Sequence, residues 1–191
     1  MKRLIQYYDS KKSNKLSLED LAIYLHHAIP SHIGMFGDGN YVIYMDSESK
    51  DALKTLGIEH DCIKHNFQPL DDGCHTLRWL SIMAMMTEPF QIYPLESNCE
   101  KRDSEVLEVV QLVQVPHNPI LAKYGIEQTG GLCGGDILAI PDASITRDAY
   151  VNARDIIQEH DITDESEIAN IMGAMLYKSA NDKGVTITKY P

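Results

Sequence analysis

The side chains best equipped for chemistry gather in HDCIKHNFQPLDDGCH, residues 60–75, which brings His60, Cys62, His65, Cys74 and His75 into one short stretch. Zinc takes tetrahedral sulfur and nitrogen ligands, usually from one pair spaced by about two to four residues and a second pair across a turn. Cys62 and His65 have that spacing, whereas Cys74 and His75 are adjacent and need a turn to aim both at one ion. On a strand, His60 and Cys62 share one face and His65 points to the other. With Asp61, Asp71 or Asp72 completing or orienting the site, an open fourth position would activate water, and the protein would be a zinc-dependent hydrolase. The longer signatures of such enzymes, HExxH and paired CxxC among them, do not occur in the sequence. The plainer reading of the same residues is a buried Cys62 beside solvent-facing histidines.

A second stretch, TGGLCGGD, surrounds Cys133 with four glycines. Such a backbone can turn its N–H groups inward as an anion nest, and Cys133 becomes a nucleophile if a base such as His117 or His160 lowers its pKa. That would make the protein a thiol enzyme. The loop leads into the apolar run ILAI and not into a helix, so the phosphate-loop and dinucleotide fingerprints are missing. The plainer reading is a loop whose glycines permit a tight or bulged entry to a strand.

Ten tyrosines against three phenylalanines and one tryptophan supply many amphipathic rings, as protein interfaces favour. Tyr7, Tyr8, Tyr41 and Tyr44 are the candidates for such a surface, and half-buried strand positions are the alternative for the same four.

The elements that must position these groups follow from periodicity. Residues 17–29 have apolar groups at Leu18, Leu21, Ala22, Leu25 and Ile29, which predicts an amphipathic helix opened by Ser17 with Asp20 and ended by Pro30. HIGMF and YVIYM flank Gly37, Asp38, Gly39 and Asn40, which predicts a hairpin. A short helix with Gly57 at its C-terminal end and a strand over 58–67 come next. Residues 76–87 read as a helix, 105–115 as a strand rich in valine, 118–125 as a short helix with an N1 proline, and ILAI as a strand. Two helices, 146–160 and 164–180, the second capped by Thr163, precede a last strand in VTITKY. Strands and helices alternate irregularly, so the expected fold class is α+β: one domain over 1–191 with about four to six helices on a mixed or mostly antiparallel sheet. SNCEKRDSE, near 96–105, is the sole stretch resembling a linker. Residues 39–53 and 135–150 share the order glycine, apolar strand, Asp, Asp-Ala; a duplicated strand-turn-helix unit explains this, and so does the turn chemistry that any strand-to-helix junction favours.

Charge and composition then bound the function. Lys plus Arg total 17 against 28 for Asp plus Glu, a formal net charge of -11, which disfavours nucleic acid and anionic membranes as partners. The longest weakly charged apolar stretch, 77–90, is far short of the roughly 20 residues that span a bilayer, and no signal-peptide core opens the sequence. Four unpatterned cysteines point to a reducing compartment, hence the cytoplasm. The excess of Lys over Arg, a mark of A+T-rich coding, suggests a viral or low-GC bacterial source, and for a viral protein the host cytoplasm or the virion. The expected function is a non-catalytic binding protein, an accessory or assembly subunit or a modulator of a protein partner, with homo-oligomers compatible. No cofactor is expected unless the 60–75 cluster holds zinc.

Overall fold

The computed structural model describes residues 3–8, 17–65, 75–95, 108–109, 113–114, 118–126, 128–129 and 137–190. In chain order these give β1 (Leu4–Tyr7), α1 (Leu18–Phe36), β2 (Tyr41–Met45), α2 (Ser47–Thr55), β3 (Ile63–His65), α3 (His75–Ala84) and β4 (Phe90–Pro94). Then come β5 (Glu108–Val109), β6 (Val113–Gln114), α4 (Pro119–Lys123), β7 (Gln128–Thr129), β8 (Ile137–Ile140), α5 (Ser144–Glu159), α6 (Glu165–Asp182) and β9 (Thr188–Tyr190). Seven strands form one sheet in the order β3-β2-β1-β4-β8-β9-β5, while β6 and β7 pair separately. The fold is α+β on a mixed sheet: β1, β2, β3 and β4 run parallel, and β8, β9 and β5 extend the sheet antiparallel. The parallel half exists because a helix follows each of β1, β2 and β3 and carries the chain back to the starting edge, which a hairpin cannot do.

Local chemistry sets where these helices begin and end. Ser17 caps α1 by accepting the Asp20 amide at 3.1 Å, and Glu19 and Asp20 suit the positive end of the helix dipole. Pro30 does not end α1, contrary to expectation. The helix continues to Phe36 because Pro30 is exposed while Ile29, Ile33 and Phe36 keep the apolar period toward the core. The hairpin expectation fails for the same reason: residues 32–36 are the last helical turns. Gly37 at φ 91° stops the helix, its amide donating to the Ile33 carbonyl at 2.8 Å, so the glycine-rich turn joins a helix to a parallel strand.

Asp46 caps α2 through the Ser49 amide at 2.8 Å, and Gly57 follows that helix at φ 83°. Asp164 and not Thr163 caps α6, accepting the Glu167 amide at 2.8 Å. Of the strand expected over 58–67, the described residues 58–65 are strand only at Ile63–His65, and of that expected over 105–115, the described pairs Glu108–Val109 and Val113–Gln114 are strands in different sheets. The suggested linker near 96–105 lies outside the described residues.

Two apolar layers sandwich the sheet. On one face Ile5, Tyr7, Phe90, Ile92, Leu138 and Ile140 meet α3, α5 and α6, with Trp79, Met83, Ala149 and Leu176 fully or almost fully buried. On the other, Leu4, Tyr8, Tyr41, Ile43 and Met45 meet α1 through Leu21, Leu25 and Ile29 and α2 through Leu53. Period two along the strands accounts for this division, since the parallel register sets Leu4 beside Tyr41 and Ile5 beside Val42.

Candidate functional site

The cluster at 60–75 does not assemble as its strand reading required. His60 and Cys62 lie in the turn before β3, so they share no strand face. The His60 Nδ1 accepts the Cys62 amide at 3.2 Å, which ties the imidazole to the backbone of the turn, and the His60 carbonyl accepts the Ile63 amide at 3.0 Å. Cys62 is buried, and burial pushes its thiol up to about 11, so it is neutral at pH 7 and a poor ligand or nucleophile. His65 ends β3 and is exposed. Cys74 lies outside the described residues, and of His75 only the backbone, which opens α3, is described. Among the described residues no three His, Cys, Asp or Glu side chains stand together to hold a metal ion.

An open groove of about 340 Å³ does run beside His60, between α2 and β3. Lys50, Lys54 and Lys64 line it, opposed by Asp51, Glu59 and Asp61, and Lys54 bonds Glu59 at 2.7 Å. The opposed signs leave the groove without a net field for a charged ligand. Cys133 and its glycine loop lie outside the described residues, as does His117; His160 follows the last turn of α5.

Tyr7, Tyr8 and Tyr41 are core residues, 2%, 3% and 1% exposed, which is the strand-position reading and removes them from the surface. Tyr41 donates its hydroxyl to Gln6 Oε1 at 2.6 Å inside the α1 layer. Tyr44 is half-buried on the opposite face, and burial raises its hydroxyl pKa.

Two further arrangements were not legible in the sequence. The order 3-2-1-4 puts a topological switch between β1 and β4, where open parallel sheets commonly bind ligands at the strand carboxyl ends. Here Tyr8 and Leu95 are buried at those ends, the Tyr8 amide bonding the Tyr44 carbonyl at 2.9 Å and the Leu95 amide the Tyr7 carbonyl at 2.8 Å. The helices that start at this end carry their own carboxylates, Glu19 and Asp20 on α1 and Asp46 and Glu48 on α2, which repel a phosphate. Second, Lys183 Nζ donates to Ser144 Oγ at 2.8 Å, and Ser144 Oγ donates to Asp142 at 2.7 Å. A serine–lysine nucleophile needs a lysine free to take the serine proton, but Lys183 Nζ is also held by the Asp148 carboxylate. The group instead ties the start of α5 to the end of α6: the Ser144 hydroxyl, and then the Ser144 amide that donates to Asp142 at 2.8 Å, hold the Asp142 carboxyl below the usual range.

The outer face of α1 is different in kind. From 21 to 36 the sequence LAIYLHHAIPSHIGMF contains no formally charged residue. Its inner residues Leu21, Ala22, Leu25, Ala28 and Ile29 are buried, and Ile23, His26, His27, Pro30, Ser31, Gly34 and Met35 are exposed. Ile23 is 65% and Met35 73% exposed, the largest exposures among the large apolar side chains described. Exposed carboxylates flank this uncharged run, Glu19 and Asp20 before it and Asp38 after it. The uncharged run was visible in the sequence, but splitting it between a helix and a hairpin hid that it forms one face. Compared with known proteins, the chain matches no family model, no curated sequence and no solved structure.

Proposed function

We propose that this protein works by binding a protein partner, as an accessory subunit or modulator, and that it does so through the outer face of α1. The observation that carries the reading is the exposure of Ile23 and Met35 on a helix with no formal charge over 21–36. Burying such side chains removes apolar surface from water with no ionic group to desolvate, which is how the centre of an interface gains its stability. The net charge of -11 argues against nucleic acid as that partner. A buried free thiol at Cys62 suits the reducing cytoplasm, or the host cytoplasm or virion for a viral protein. The test is affinity capture from the native source with the wild type and with the double variant I23E/M35E. Wild type is expected to retain a stoichiometric partner, a different protein or an untagged copy of the same chain, and the variant to lose it. Recovery of free protein alone, or a partner kept by the variant, would overturn the reading.

A further inference from the structure

We infer that the last two turns of α1, residues 30–36, are a flap that unwinds as one unit from the rest of the helix and uncovers Tyr41 and Gln6 beneath it. This stands apart from the binding reading above. The helix is built in two unequal parts. Between 21 and 29 it buries Leu21, Ala22, Leu25, Ala28 and Ile29, whereas from Pro30 to Phe36 no residue is buried. His32, Ile33 and Phe36 are half-buried, and Pro30, Ser31, Gly34 and Met35 face water. Segments with few buried apolar contacts and exposed backbone hydrogen bonds are those that open locally, well below the free energy of global unfolding.

Two residues weaken the helix where its burial stops. Pro30 has no amide hydrogen, so the helical ladder lacks its bond to the His26 carbonyl at the join of the two parts. Gly34 lies inside the second part without the positive φ found at Gly37 and Gly39, and a Cβ built on it would meet nothing within 4 Å. Alanine would therefore fit at 34 and hold the helix better, since glycine is the poorest helix former after proline. The far end is tethered by a side chain, Asn40 Nδ2 donating to the Phe36 carbonyl at 3.0 Å.

What the flap covers favours its opening. The His32 ring stands 4.9 Å from the Tyr41 ring, and Tyr41 in turn donates to Gln6 Oε1. Gln6 is fully buried, and its Nε2 has no partner among the described residues. A buried donor left unpaired penalises the closed state, and solvent reaching the pair from the opened side satisfies it. Met35 leaves with the flap, while Ile23 stays on the anchored part.

Native-state hydrogen exchange, followed amide by amide, tests this. The amides of residues 34 to 37 should exchange together, at least about a hundredfold faster than those of Leu25 and Ile29 after correction for intrinsic rates. Gly34→Ala should slow all four by one common factor, about two- to fivefold, and leave Leu25 and Ile29 unchanged. Asn40→Ala should speed the same four, and Q6L/Y41F should slow them because it removes the unpaired amide. Exchange graded residue by residue toward the helix end is ordinary fraying and would overturn the inference. Protection equal to that of Leu25 and Ile29, a Gly34→Ala effect confined to its own amide, or indifference to Asn40→Ala or Q6L/Y41F would overturn it equally.

Discussion

Helices α1 and α6 are nearly equal in length, 19 and 18 residues, and each carries a long run without a formal charge, 21–36 in the first and 168–177 in the second. In α6 the run is spent inside the protein. Residues 171–176 are buried without interruption, because α3 and α5 pack around this helix where it covers the sheet. In α1 only one stripe is buried, against β2 and β1, and the remainder of an equally uncharged surface faces water. Charge is left out of α6 because there is no solvent beside it. Nothing among the described residues gives the same reason for α1, and that difference is what the proposed binding role of α1 draws on.

Truncating each helix at its most informative residue offers the largest break in this comparison. Leu176→Ala should lower stability by about 2–5 kcal/mol through the cavity it leaves, while Ile23→Ala should change it by under about 0.5 kcal/mol, both read by urea unfolding at a concentration where the protein is monomeric. A loss above about 1 kcal/mol for Ile23→Ala would mean that α1 is anchored through its outer face after all.

A smaller effect probes the interior on the α1 side. Gln6 is fully buried there, with Tyr41 on its Oε1 and no partner for its Nε2. Tyr41→Phe should cost about 1–2 kcal/mol by leaving the amide wholly unpaired, and Q6L/Y41F should return stability to the wild-type level or above. A double variant less stable than Tyr41→Phe would show that the pair contributes more than it costs.

The smallest expected effect concerns Cys62 in the same layer. Its pKa of about 11 leaves roughly one thiol in a thousand ionised at pH 8, so alkylation by iodoacetamide should be slow at that site in the folded protein, with cleaved peptides analysed by mass. The raised value also fixes a sign. The neutral thiol is favoured by the fold, so its contribution to stability is present below the ordinary thiol pKa of 9.0 and declines as pH rises through about 11. Rapid alkylation of Cys62 at pH 7 would restore it as a reactive group.

Much of the fold is legible because capping and periodicity are local. Ser17, Asp46, Asn118 and Gly57 all act at helix ends that the sequence marks, and the two long C-terminal helices fall within about two residues of their predicted bounds, the usual uncertainty of helix termini. What was not legible depends on partners distant in sequence. Alternation in YVIYM looks the same whether a strand pairs with its neighbour through a hairpin or with β1 in parallel, since either arrangement can leave one face of β2 buried and the other half-buried. Pro30 was read as a stop because a local rule cannot register that Ile33 and Phe36 have a core waiting beyond it. The candidate site divides in the same way. Residue type marked His60 and Cys62 as chemically capable, but only the turn geometry shows the ring of one bonded to the backbone amide of the other, whose thiol is buried. The two Asp-led turns after β2 and β8 likewise share chemistry and not topology: Asp46 bonds an amide three residues on, Asp142 one two residues on, and their strands pair in opposite senses.

The position of β9 between β8 and β5 carries a consequence for synthesis. The parallel block from β1 to β4 has all its strands once residue 94 has emerged from the ribosome, but β4 gains its second neighbour only with β8, and β5 at 108–109 has no partner in the sheet until β9 at 188–190. During that interval the nascent chain presents an unpaired row of backbone groups along β4, the sort of edge on which other chains nucleate aggregates. Slow translation between those two points would therefore lengthen the exposure, and chaperone capture of the half-made chain is expected to peak there.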